Sequence, residues 1–519
     1  MKTVKLLDTT LRDGAQTEGI SFTVEDKIKI VKLLDELGLH YIEGGWPGSN
    51  PKDIDFFKEV QKLKLVNSTI VAFGSTRRAG VAADKDKNLA AIISSGVAAA
   101  SIFGKTWDFH VTDALKISLD ENLELIGDSI KYLKSKRLEV FFDAEHFFDG
   151  FKANKKYALM CLSVAEKAGA DCLVLCDTNG GSLAFEVQDI INEVKRHTKR
   201  ALGIHAHNDS ECAVSVSGMA VKCGATHVQG TINGYGERCG NANLCSIIPI
   251  LKLKLEIDCI SDKKLKELTE LSRHVAEIAN LPVSSHQPFV GRSAFAHKGG
   301  IHVSAVLKHP GTYEHIKPEL VGNERRVTVS ELSGISNLIF KAKEYGIDLK
   351  KDSPEVRRVL EVLKEMEHQG YQFEEGEASF ELLLARALKK FPPYFELAEY
   401  KVETTETPKG GVVTATIALN IKGKEASSKA TGDGPINALD QALRKAIGDV
   451  YPEINSVKLT DYKVRVLDSE AGTAAKVRVI VESSDEASTW GTVGVSTNVI
   501  EASWLALVDS IEYKLMKGK

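Results

Sequence analysis

The stretch "VKLLDTTLRDGAQTEGISFTVEDKIKIVKLLDELGLHYIEGGWP", residues 4–47, reads as a strand, a helix and a second strand. A short apolar run ends at Asp8; from Val24 onward, apolar residues recur at three- and four-residue intervals, and Gly38 stands where such a helix stops. The same grammar returns in the strand candidates "TIVAFGST" (69–76), "AAASIFGKT" (98–106), "LEVFFDAEH" (138–146), "CLVLCDTN" (172–179), "LGIHAHND" (202–209) and "HVQGTINGYGE" (227–237). Helical stretches such as "KKYALMCLSVAEKAGA" (155–170) separate them. Eight strands alternating with helices are the arithmetic of an α/β fold closed as a (β/α)₈ TIM barrel, expected here over residues 1–280. A doubly wound open sheet is the rival, but no GxGxxG follows the first strand.

The strand ends carry residues that a core would not choose: Asp8, Arg12 and Asp13; Glu43; Ser75 and Arg77; Lys105; Asp143 and Glu145; Asp177, Thr178 and Asn179; His205 and His207; Asn233 and Glu237. Any one of them reads blandly as a solvated loop charge. In a closed barrel, however, these ends converge on one rim, the face that carries catalytic residues.

Composition narrows the partners. With 43% hydrophobic and 27% charged residues the chain is globular, and its 519 residues call for more than one domain. A formal net charge of -4 gives no field that would gather nucleic acid or an anionic membrane, so small molecules are the expected ligands. The start resembles no signal peptide, and the longest apolar stretch, 90–103, is broken by Ser94, Ser95 and Gly96; a cytoplasmic protein is expected. All eight cysteines lie between Cys161 and Cys259 without a CxxC pair, which points to free thiols. Cys172 and Cys176 read as core residues of a buried strand; Cys239, in its Gly-rich loop, has a reactive thiol as one reading, and the reading favoured is an unreactive cysteine.

After Leu281 the pattern changes. A Gly-, His- and Ala-rich segment, "PFVGRSAFAHKGGIHVSAV" (288–306), leads into charged helices such as "SPEVRRVLEVLKEMEHQG" (353–370) and ends at the break "FPPYF" (391–395). This makes a mostly helical connector, 281–392. From 393 to 519, three alternating strand patterns and a helix ("PINALDQALRKAIG") are followed by the same order again, closing with "NVIEASWLALVDSIEYKL". A duplicated β-β-β-α unit cannot bury its sheet alone, so the copies are expected to pack together and against another subunit. Lacking the charged constellations of the barrel, it suits regulation rather than chemistry.

"HAHND" (205–209) is the sharpest chemical signal. Alternate strand residues share a face, so His205 and His207 can grip one metal ion, whereas a lone strand histidine is more often a satisfied core residue. Asp13 is the expected hard third ligand, with Asn241 or water in a further position. Such a site, with Zn²⁺, Mn²⁺ or Mg²⁺, can chelate the keto oxygen and carboxylate of a 2-oxo acid. Arg12 would then place positive charge where a carbonyl oxygen becomes an alkoxide. Gly14 turns the chain from the rim, and Lys27 is expected on the solvent face of the first helix.

"LRDGAQTEGISFTVEDK" (11–27) resembles the first signature of the 2-isopropylmalate synthase/homocitrate synthase/citramalate synthase family, and "HAHND" with "GYGERCGNANL" (234–244) resembles its second. The likeness extends over the whole chain. One departure is Glu211, where the family pattern has glycine, which raises a question about local packing. The resemblance implies metal ligation by Asp13, His205, His207 and Asn241, and 2-oxo acid contacts from Arg12 and Thr178, with Asp143 placed beside them. It further implies that Glu145 and His302, assisted by Tyr313, remove a proton from the acetyl group of acetyl-CoA. "DGAQ" and "IEGGWP" are most similar to the pyruvate-using branch; isopropylmalate synthases, which use 2-oxoisovalerate, more often show "DGEQ" and "IEAGFP". A metal-dependent lyase or aldolase is the third reading. By the same resemblance the chain is expected to form a homodimer serving isoleucine synthesis, with isoleucine as effector of the C-terminal domain.

Overall fold

The computed structural model describes all residues except 1–2, 329–334, 348, 351–352, 389–392, 408–409 and 519. Residues 391 and 392 of the "FPPYF" break therefore lie outside the described residues. The described chain forms two compact units, 1–295 with 316–324 and 296–315 with 325–519, so the residues of the expected connector divide between them.

In the first unit eight parallel strands close into a barrel in chain order: β1 (Lys5–Asp8), β2 (Tyr41–Gly45), β3 (Thr69–Ser75), β4 (Ala99–Lys105), β5 (Glu139–Glu145), β6 (Cys172–Asp177), β7 (Ala201–Ala206) and β8 (His227–Gly230). Pairing of Lys5 with His227 through Asp8 with Gly230 joins the last strand to the first. All eight expected strands are present, which settles the choice against an open sheet.

Local chemistry sets the helix ends. Thr23 and Asp26 cap the helix Val24–Leu37 reciprocally, and Gly38 ends it in the left-handed region at φ 91°. Asn154 and Gly169 do the same for the helix Lys155–Ala168. Inside the barrel, Leu7, Tyr41, Val71, Phe141 and Val174 pack together, with the Tyr41 and Phe141 rings edge to face at 4.9 Å. Between strands and helices a second apolar layer includes Leu34, Phe56, Phe142 and Ile204. All eight cysteines are free; Cys172 and Cys176 are buried, and Cys239 is exposed.

The second unit contains the helices Gly300–Lys308, Ile335–Glu344, Pro354–Gln369 and Glu377–Ala387, followed by the duplicated unit. Strands β9 (Glu396–Thr407), β10 (Gly410–Ile421) and β11 (Lys424–Gly432) form one antiparallel sheet under the helix Pro435–Ile447; β12 (Lys458–Val466), β13 (Val477–Ser484) and β14 (Thr489–Ser496) form another under the helix Val499–Lys517. Val413, Ala415, Ile417 and Leu419, alternate residues of β10, share a core with Trp504 and Ile511 of the second helix, so the copies bury each other's faces as expected. Among the described residues no helix is long and apolar enough to cross a membrane.

One expectation is overturned. Lys27 is buried, not solvent-facing: its ammonium donates to Asp53 Oδ1 at 2.6 Å and to the Gly44 carbonyl at 3.0 Å, tying the first helix to the end of β2. The helical period places position 27 on the core side, and the sequence hides its partner 26 residues away. Removing one member of a buried pair strands the other, at roughly 3–5 kcal/mol. We expect Lys27→Ala to lower the barrel's unfolding free energy by about that much in urea titration; a loss below ~1 kcal/mol would show that Asp53 is rehydrated at no cost.

Candidate active site

At the C-terminal ends of the strands lies a cavity of ≈ 220 Å³ lined by Arg12, Asp13, Gln16, Phe73, Phe103, Asp143, Glu145, Cys176, Thr178, His205, His207, Glu237 and Arg238. Strand alternation puts His205 and His207 on one face, with their Nε2 atoms 3.3 Å apart. β8 lies between β7 and β1, so Asp13 is not on the strand neighbouring the histidines; the turn after β1 carries it back, to 3.2 Å from His205 Nε2. Asp13, His205 and His207 thus present three ligand atoms within 4.8 Å of one another, all three side chains buried.

The surroundings suit this trio to a cation. Gln229 on β8 gives its amide N–H to Asp143 Oδ1 at 3.0 Å, so its oxygen faces His205 Nδ1 at 2.8 Å and requires that nitrogen to carry the proton. The lone pair of His205 is thereby fixed on Nε2, toward Asp13 and His207. Among the described residues, buried His207 Nδ1 and Asn241 Oδ1 have no hydrogen-bond partner. Two imidazoles and a carboxylate with mixed nitrogen and oxygen donors fit a divalent cation. Asn241 reaches the trio because its segment bridges back to His207; its amide donates to Asp13 Oδ2 at 2.7 Å and lies 3.4 Å from His205 Nε2.

Charge is balanced inside the cavity rather than by solvent. Arg12 is no surface partner of Asp13: its Nε donates to Glu43 at 2.6 Å, its Nη1 lies 3.3 Å from Asp13, and its guanidinium sits 3.7 Å above the Phe73 ring. Burial alone would raise the Asp13 carboxyl, but the Arg12 charge and the His205 contact hold it well below the usual range. Burial pushes Glu43 up to about 7 despite Arg12, and burial beside His205 pushes His207 down to about 3.

The structure gathers Arg12, Asp13, Asp143, Glu145, Thr178, His205 and His207 in this one cavity. Both oxygens of Asp143 are engaged, by Gln229 and by Ser101 at 2.6 Å. Glu145 pairs with Lys105 at 2.5 Å. The Thr178 hydroxyl accepts the His146 N–H, which leaves its own proton to donate. His302 and Tyr313 belong to the second unit, where their rings stack at 4.2 Å.

Other polar strand ends are structural. Asp8 binds Thr10, Asp177 binds Ser182, Arg77 binds Asp128 and Asn233 binds Ser272; none of the four lines the cavity, and Asp8 and Asp177 are buried rather than solvated. Gln229, Ser101 and Arg238 were not legible as site residues; they contribute through partners distant in sequence, as when Arg238 clamps Asp209 and the Thr178 carbonyl. Glu211, in place of the family glycine, holds φ at 58°, a conformation that glycine adopts without strain and that costs other residues of order 1 kcal/mol.

Partners that orient metal-binding histidines typically contribute 10–100-fold to affinity. We therefore expect Gln229→Leu to weaken Mn²⁺ binding by roughly 10–100-fold in calorimetric titration of chelator-treated protein. Unchanged affinity would show that Gln229 does not orient His205.

The model described as HMGL-like matches residues 3–275, more than half of the chain. "Homocitrate synthase post-HMGL domain-like" matches 289–371, and "LeuA allosteric (dimerisation) domain" matches 375–515. An (R)-citramalate synthase of Geobacter sulfurreducens is 58% identical, with 100% of this chain and 99% of that protein covered. Another, of Aquifex aeolicus, is 54% identical over 99% and 98% of the two chains. A 2-isopropylmalate synthase of Methanocaldococcus jannaschii is more distant, 32% identical over 99% and 95%. Full-length likeness at these levels, on a barrel whose rim holds the Asp13, His205 and His207 array, places the chain in the HMGL-like family, among the (R)-citramalate synthases.

Proposed function

We propose that this barrel condenses acetyl-CoA with pyruvate and hydrolyses the product to (R)-citramalate and CoA. The observation that carries this reading is the convergence of Asp13, His205 and His207 beside Arg12 in one cavity. A divalent cation held by the three ligands would supply Lewis-acid polarisation of the 2-oxo group and an anchor for its carboxylate.

The chain's own groups do the rest. Glu145, with its charge partnered by Lys105, is read as the carboxylate that takes a proton from the acetyl methyl group; the family resemblance assigns His302 and Tyr313 to the same step. The methyl carbon then attacks C2 of pyruvate, and the C2=O electron pair moves onto oxygen. Arg12, fixed between Glu43 and Asp13, stabilises the charge developing there without having to reorganise. The free Thr178 proton suits the substrate carboxylate. Water cleaves the thioester and CoA leaves, which makes the condensation irreversible. In this reading Asp143 acts through Gln229, and Asn241 holds Asp13. The duplicated domain is read as a dimerising sensor of isoleucine, the end product of the pathway that citramalate serves.

The test is release of free CoA by purified protein given Mn²⁺, Mg²⁺ or Zn²⁺, acetyl-CoA and a panel of 2-oxo acids. Pyruvate should give the highest kcat/KM, chelation should abolish turnover, and Asp13→Ala should reduce it by roughly 10²-fold or more. Faster turnover with 2-oxoisovalerate would move the protein to the isopropylmalate branch, and no release with any acid would remove the condensing activity. Under the same conditions, cleavage of citramalate or acyl-CoA esters would support the lyase reading.

A further inference from the structure

Trp46 follows β2; it does not line the cavity that holds Asp13 and the two histidines but an adjoining one that shares Arg12 and Gln16 with it, and its surroundings fix it firmly. Its backbone N–H donates to Asp53 Oδ2 at 2.9 Å, an approach that Gly45 permits: at φ 147°, a Cβ there would meet the Asp53 carboxyl at 2.6 Å. The indole N–H donates to Asn88 Oδ1 at 2.6 Å, and the Asn88 amide donates in turn to the Ser75 carbonyl at the end of β3, at 2.7 Å. So held, the indole stands edge-on to two rings at once, Phe73 at 5.6 Å and Phe103 at 5.8 Å. Those two rings stack on each other at 5.5 Å and line the cavity, and Phe73 also carries the Arg12 guanidinium on its face. The apolar wall beside Arg12 is therefore made of two phenylalanines, both backed by one hydrogen-bonded tryptophan.

We propose that Trp46, braced by Asn88, is a positioning residue that fixes how far Phe73 and Phe103 protrude into the cavity and so restricts the acceptor to a 2-oxo acid with a one-carbon side chain. This rests on the proposed condensing activity and adds the origin of its selectivity. The physical reason is packing: close-packed rings cannot yield to an extra methylene while the indole is locked, and they relax into the space once it is removed. One methylene in an apolar pocket changes discrimination by about 10–200-fold, so a wall that gives way registers in substrate choice.

The experiment compares kcat/KM for pyruvate, 2-oxobutanoate and 2-oxoisovalerate, by CoA release, in the wild type, Trp46→Phe, Trp46→Ala and Asn88→Ala. The ratio of 2-oxobutanoate to pyruvate should rise by about 10-fold or more in Trp46→Ala, and in the same direction but less in Trp46→Phe and Asn88→Ala. Trp46→Phe keeps an aromatic ring and Asn88→Ala keeps the indole, so the comparison survives if Trp46→Ala does not fold. If all three acids lose kcat/KM by one common factor, Trp46 is only a packing residue and the proposal is overturned. A wild type inactive on every acid would instead overturn the condensing activity.

Discussion

Parallel pairing of β8 with β1 is the constraint on which the rest of this protein depends. It closes the sheet, removes both edges and brings together residues from opposite ends of a chain segment: Asn241 donates to Asp13 across 228 positions. Without closure Asp13 would be an exposed carboxylate after an edge strand. With closure it is a buried carboxylate facing two imidazoles.

Burial of charge follows from that closure and has to be compensated. Asp13, Glu43 and Asp143 all lie in the barrel mouth, where desolvation opposes ionisation. Arg12 answers two of them directly, and Phe73 covers one face of its guanidinium. Asp143 is answered by neutral donors, Ser101 and Gln229, and through Gln229 it sets the tautomer of His205. The unlike charges at positions 12 and 13 are thus one part of a buried network that spans β1, β2, β4, β5, β7 and β8. The same network that neutralises the mouth holds Arg12, Asp13 and His205 in place by hydrogen bonds and ion pairs within the protein.

Much of this was legible in the sequence, and the limit is informative. The period of the strands and helices, the HxH spacing and the Arg-Asp pair are local patterns, and each survived. Polar strand ends were read too uniformly: Asp8 and Asp177 are saturated by hydroxyls two and five residues away, which removes them from the chemistry. Lys27 looked solvated because its partner, Asp53, lies on the next helix. Nothing near Trp46 in sequence marks its place, since its contacts are Phe73, Asn88 and Phe103 on later elements.

By itself, then, the sequence determined the strand and helix order, the duplicated C-terminal unit and the two spacings, Arg12-Asp13 and His205-x-His207, that supply the candidate ligands, because periodicity and short spacing are properties of neighbours along the chain. Tertiary structure alone decided which polar groups face the cavity, which nitrogen of His205 holds its proton and what stands behind the apolar wall. Those outcomes rest on hydrogen bonds and ring contacts between residues tens of positions apart, and only the closed barrel brings such residues within reach.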